Sequence, residues 1–263
     1  MNKPQYLALL AALAVFLGLY LGFQTTPSAQ KAVERSRALT GESTGFETLL
    51  ESAKAGLDAS QAAKVLDWEQ QAAAAPTDSA RATILKELSG FWYRQGSAPV
   101  AGAYAEQVAE IEQDDEAWSV AGATFFNALA AEQDPIRRKY CADHAVKAFE
   151  SAISLRPERV EHQVNLALLY AENPPPDNPM KAVLMLRDLE SKHPENASVY
   201  NALGRLAIKT GQWDRAIQRL EKAWSLDKSN PNTPCLLAKA YEGGGQGAKA
   251  SEFAALCGAQ QQK

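Results

Sequence analysis

Histidine, cysteine and methionine are scarce, with three of each in 263 residues, and the scarcity excludes much. The cysteines, Cys141, Cys235 and Cys257, form an odd and scattered set. They supply no CxxC, no metal-ligand spacing and no disulfide framework. Small buried side chains are the expectation for all three. The histidines, His144, His162 and His193, stand apart from any partnered nucleophile, so none makes a persuasive general base. No HExxH, GxSxG or phosphate-cradling glycine loop occurs. The glycine run from Gly243 to Gly247 falls where two helices would turn. Asp114, Asp115 and Glu116 open a helix, whose N-terminal dipole favours negative charge, and that accounts for them.

A basic excess is also missing. Lys and Arg total 27 against 31 Asp and Glu, a net charge of −4, which argues against a nucleic-acid partner. Alanine-rich stretches with few β-branched runs point to helix throughout. These absences leave an all-α protein with no catalytic, metal or cofactor site; a binding role is what remains.

One long apolar run is present. From Tyr6 to Phe23 the chain carries no charge, and as a helix it would extend about 27 Å, close to the thickness of a bilayer's hydrocarbon core. Tyr6 and Tyr20 lie toward its ends, where amphipathic rings suit the interface. A cleavable signal peptide is the competitor, with a shorter apolar region and a small-x-small cleavage site, of which residues 25–30 offer only a poor version. The expected layout is an anchor over residues 1–24 and a polar stalk over 25–43. Sidedness pulls both ways. Lys31, Arg35 and Arg37 come after the run, as on a cytoplasmic side, and unpaired cysteines suit a reducing compartment. A short tail before one span is also the layout of a signal anchor that exports its C-terminal domain, and the balance leans slightly to an extracytoplasmic solenoid.

Residues 44–79 predict a helical hairpin that caps the remainder. Phe46, Leu49, Leu50, Ala53 and Leu57 make its first stripe; Ala62, Val65, Leu66 and Ala72 make the second, behind an N-cap at Asp58 or Ser60. The clearest unit of the chain lies further on, between Ala197 and Asn230. Tyr200, Leu203, Ala207 and Ile208 share one helical stripe, Gly211 breaks it, and Ala216, Leu220, Ala223, Trp224 and Leu226 share the next. Small residues at Gly204, Ala216 and Ala223 let the two helices approach closely. Related hairpins can be phased on either side. Ala145, Phe149, Ala152 and Pro157 come after Trp118, Ala121, Gly122 and Phe125, with an insertion that turns or lengthens a helix at Pro135. Leu166, Ala167 and Tyr170 precede Ala182, Leu186, Leu189 and Pro194.

This pattern resembles the tetratricopeptide repeat (TPR), W-x2-L-G-x2-Y … A-x3-F … P over about 34 residues. About five such units fit residues 80–263, and three or more suffice for a stack in which each hairpin buries its face on its neighbours. The fold class implied is an all-α, TPR-type α-solenoid plus one N-terminal transmembrane helix.

The resemblance also implies a concave groove, lined by the first helix of each repeat, that holds peptide ligands. Carried over residue by residue, it gives Lys86, Tyr93 and Arg94; then Ser119, Phe126 and Asn127; then Val164, Leu168 and Glu172. Asn201, Arg205, Ile208 and Lys209 come next, and Cys235, Lys239 and Glu242 close the series. Arg205, Lys209 and Lys239 would form a cationic strip for an acidic or C-terminal peptide segment, or be ordinary solvated cations. A second candidate is the rigid loop of Pro174, Pro175, Pro176, Asp177 and Asn178. It would contact a partner or bridge an irregular turn, with Asp177 or Asn178 capping the next helix. The function implied is a membrane-anchored adaptor that holds a protein partner without catalysis. The alternative is a structural subunit whose solenoid is a permanent interface in a larger membrane complex.

Overall fold

The computed structural model describes residues 45–261. The apolar run from Tyr6 to Phe23 and the polar stalk lie outside the described residues. Among the described residues no helix is long and apolar enough to cross a membrane. Two compact units divide the chain, Met1–Thr48 and Leu49–Lys263. Only the last few residues of the first are described, so the account concerns the second.

Among the described residues every regular element is an α-helix, twelve in sequence: α1 (Phe46–Lys54), α2 (Ala59–Ala74), α3 (Asp78–Arg94), α4 (Ala98–Glu112), α5 (Asp115–Ala131) and α6 (Pro135–Leu155), followed by α7 (Val160–Glu172), α8 (Lys181–Lys192), α9 (Ala197–Lys209), α10 (Trp213–Leu226), α11 (Asn232–Gly243) and α12 (Gly247–Gln261). From α3 onward they pair as hairpins, α3 with α4 through to α11 with α12, and each hairpin packs on the next. First helices also touch first helices, α5 with α7, α7 with α9 and α9 with α11. The hairpins are therefore laid in a row, as a solenoid requires, rather than wrapped about a central hub.

Their spacing is set by glycines. A Cβ on Gly122 would lie 2.7 Å from the Phe149 ring, and one on Gly204 would lie 2.5 Å from Leu220 Cγ. Phe149 and Leu220 are fully buried, so neither has room to retreat. Three hairpins share one turn. Gly96, Gly211 and Gly245 all have positive φ, between 69° and 77°. Around Gly211, its own amide donates to the Ile208 carbonyl and the Gln212 amide to the Ala207 carbonyl, closing the carbonyls that the ending helix leaves open.

Several helix starts are capped by side chains. Asp58 caps α2 in a reciprocal box with Gln61, and Asp134 caps α6 ahead of Pro135, which makes the insertion a turn. Asn196 caps α9 by accepting from the Val199 amide at 3.2 Å.

Three expectations are corrected. Cys235 and Cys257 form a disulfide between α11 and α12, with Cα atoms 4.9 Å apart. Scattered spacing hid the pair, because the turn at Gly245 folds distant residues together. Only Cys141 keeps the role of a small buried residue, its thiol pushed up to about 12 by burial. Leu66, placed on the inner stripe of α2, is exposed, since its neighbour Val65 takes the core position. Neither Asp177 nor Asn178 caps α8 through its side chain. The loop before it is instead a pair of backbone turns, with the Pro175 carbonyl accepting from Asn178 and the Asn178 carbonyl from Lys181.

Candidate functional site

The first helices of successive hairpins do not meet everywhere, and a groove of about 530 Å³ opens between α3 and α5. Lys86, Ser89 and Gly90 of α3 form one wall; Glu116, Ala117 and Val120 of α5, with their N-cap Asp114, form the other. Ala105, Val108 and Glu112 of α4 lie beneath. The floor is apolar at Ala105 and Val108, both buried. Val120 stands out from it, 56% exposed on a helix where Trp118, Phe125 and Leu129 are buried and Phe126 is half-buried. An isolated exposed valine is unremarkable; one beside an apolar floor offers a contact point.

The rim is acidic. Lys86 Nζ lies 2.6 Å from Glu112 Oε1 across the groove, so its charge is answered within the protein. Asp114 is engaged in capping α5, accepting from the Ala117 amide at 3.3 Å. Glu116 sits 3.5 Å from the Arg159 guanidinium and remains largely solvated. The rim thus holds three carboxylates and one ammonium, with the Arg159 guanidinium beside Glu116, and is net acidic.

The predicted groove residues scatter around this geometry. Lys86 lines the groove, while Tyr93 and Arg94 lie exposed on the last turn of α3. Phe126 is half-buried and Asn127 exposed at the far end of α5. Val164 and Ile208 are buried in the core instead of lining a surface, because the carried-over register meets the inward stripe there. Asn201 is half-buried, its Oδ1 accepting from Thr233 Oγ1 at 3.0 Å, and so ties α9 to α11. Lys209 is held by Glu172 at 2.8 Å and by the Ala171 carbonyl at 2.7 Å. Arg205 and Lys239 are exposed and make no ion pair with any described residue. Pro174, Pro176, Asp177 and Asn178 are exposed, with Pro175 half-buried. Val120, Glu116 and Ser89 were missed; the run of apolar and small residues in Ala117–Gly122 was the available signal.

The histidines serve the frame. His162 on α7 is buried with Nε2 2.7 Å from Oδ2 of Asp115, itself buried at the start of α5. Arg159 reaches the same carboxylate at 3.0 Å and Arg156 its other oxygen at 3.3 Å. The His162 hydrogen bond, joined by the two guanidiniums against the cost of burial, holds the Asp115 carboxyl at about 2. Asp115 therefore does far more than meet a helix dipole: it fastens the second hairpin to the third. Glu106 on α4 plays a similar part. Burial alone would raise its carboxyl, but His144 at 2.5 Å and Lys147 at 2.6 Å overrule it and hold it below the usual range. His193 ends α8 through its backbone. Among the described residues no group of His, Cys, Asp and Glu could hold a metal ion.

Residues 207–263 match the family model described as tetratricopeptide repeat. No curated protein matches the chain. Several solved structures do. MamA 41-end from Desulfovibrio magneticus RS-1 is 19% identical, covering 69% of this chain and 95% of that one, with a TM-score of 0.41. Another MamA crystal structure is 18% identical over 69% of this chain and 92% of its own, with a TM-score of 0.40. A tetratricopeptide repeat protein from Parabacteroides merdae ATCC 43184 is 15% identical, covering 79% and 77%, with a TM-score of 0.48.

Proposed function

We propose that this chain, whose residues 207–263 match the tetratricopeptide repeat model, is a non-catalytic adaptor of that repeat type that holds a protein partner in the groove between α3 and α5. The observation that carries this is the exposed Val120 above the buried Ala105 and Val108, inside a rim of Glu112, Asp114 and Glu116. The partner segment presents an apolar side chain to Val120 and a lysine or arginine to the rim. The apolar run from Tyr6 to Phe23 is the anchor that places this groove at a membrane, and its length supports that reading. The Cys235–Cys257 disulfide supports an extracytoplasmic solenoid, since such bonds persist in oxidising compartments.

A photo-crosslinking amino acid at Val120 tests the groove in cells. It should yield a discrete protein adduct that Glu116→Lys abolishes, while the same probe at the exposed Ile136 of α6 yields none. Equal adducts from both positions would remove the groove as the binding surface.

A further inference from the structure

A second cleft, of about 380 Å³, opens between the second helices of two neighbouring hairpins. Second helices pack directly in the earlier part of the chain, where α4 touches α6, but α8 and α10 stand apart and are linked by the Arg219–Glu190 ion pair. The floor of the gap is α9, through Leu203, Leu206 and Ala207, and Val183 of α8 extends it. At the edge Met180 and Leu184 are more than half exposed, which continues the apolar surface outward.

Guanidiniums line the same gap. Arg187 comes from α8, Arg215 and Arg219 from α10. Glu190 answers Arg219. Arg215 donates to the Gln212 side chain at 2.6 Å, a neutral partner, and Arg187 makes no ion pair with any described residue. Burial and the neighbouring charge of Arg187 both push the Arg219 guanidinium below its ordinary value, as expected where cations converge in a cleft. A net positive, apolar-floored cleft on a chain of net charge −4 is a local inversion of the molecule's charge. Of the carboxylates next to these arginines in sequence, Asp188 is bound to Lys192 at 2.7 Å.

From the arginine pair and the apolar floor between α8 and α10 we infer a second protein-docking site, whose occupant is an acidic amphipathic segment of a partner protein. Its apolar face covers Val183, Leu206 and Met180, and its carboxylates meet Arg187 and Arg215 in the planar, forked geometry that guanidinium and carboxylate share. Charge selects this occupant over the chain's own N-terminal stalk, where Lys31, Arg35 and Arg37 outnumber Glu34 and Glu42. The cleft is bordered by second helices and the groove at Val120 by first helices, so the two sites take different segments with opposite charge. One solenoid thereby bridges two proteins.

The test uses the full-length protein in neutral detergent and a fluorescein-labelled amphipathic helix with leucine on one face and glutamate on the other. Fluorescence anisotropy compares it with the same peptide carrying glutamine for glutamate, and with an oligothymidylate of matching charge. The glutamate peptide should bind about tenfold or more tightly than the glutamine peptide. Arg187→Glu with Arg215→Glu should erase that difference. Both residues are exposed, so helicity by circular dichroism should not change. Equal binding of the two peptides, or unchanged binding by the double variant, overturns the site. Oligothymidylate competing as well as the glutamate peptide overturns it too, since the cleft would then be a general polyanion surface. The crosslink at Val120 does not involve these arginines, so either site can fail alone.

Discussion

A glycine missing its side chain is the smallest thing this fold depends on. At Gly204 the gain from alanine would be about 1 kcal/mol of helix propensity. Against it stands a methyl group placed 2.5 Å from Leu220 Cγ and 2.7 Å from its Cδ2, in a site where Leu220 has no exposure. Overpacking of this kind costs about 1–3 kcal/mol, so the clash wins and Gly204→Ala lowers stability. The sign should reverse once the leucine is cut back. In a Leu220→Ala background the new methyl fills part of the vacated space, and Gly204→Ala stabilises by up to about 1 kcal/mol. Urea denaturation of the four proteins in this cycle decides the matter. A destabilising Gly204→Ala in both backgrounds would mean that the glycine serves the backbone and not the approach of α9 to α10.

At the scale of the helical hairpin, the last pair differs from the others. α11 and α12 are joined by the Cys235–Cys257 bond across a sequence separation of 22, and Leu256 on α12 is 38% exposed. Among the described residues this pair packs on one neighbouring hairpin only, and a hairpin covered on one side opens most readily. Closing a loop of this size contributes about 3 kcal/mol by restricting the unfolded chain. Cys235→Ser should therefore speed hydrogen exchange in α11 and α12 by roughly a hundredfold or more, while α3 to α6 exchange as before. Unchanged exchange in the terminal pair would show that the bond does not carry its stability. Hairpins were legible in the sequence because each records itself locally: the stripe of Tyr200, Leu203 and Ala207, then the glycine at 211. The disulfide was not, because two cysteines in different helices announce nothing until the turn between them is known. The opening between α3 and α5 was not legible. Which face of α5 is left open depends on how far α3 stands from it, and no residue of either helix encodes that distance alone.

At the scale of the whole described unit, what matters is how strongly one hairpin feels the next. Packing of neighbours is one coupling; the Asp115 cluster is another, and it reaches from α5 to α7 with Arg156 and Arg159 in the connection between. None of this was visible in Asp114–Glu116 as three acids at a helix start, since its partners lie 41–47 residues away. The cluster carries a pH signature. The Asp115 carboxyl sits at about 2 when folded, against an ordinary 3.8, so the unfolded chain binds the proton first as pH falls. The stabilisation is fully present above pH 4 and is lost on the way down to pH 2; Glu106, also lowered, adds to the same loss. Asp115→Asn removes the titrating group while keeping its shape. The variant should melt below the native protein at pH 7, and the gap between their melting temperatures should close between pH 4 and pH 2. Because the cluster spans two hairpins, the native transition should remain single while the variant's broadens, as an array does when one of its interfaces weakens. A melting gap that stays constant down to pH 2 would show that the carboxylate's charge contributes nothing to holding the second and third hairpins together.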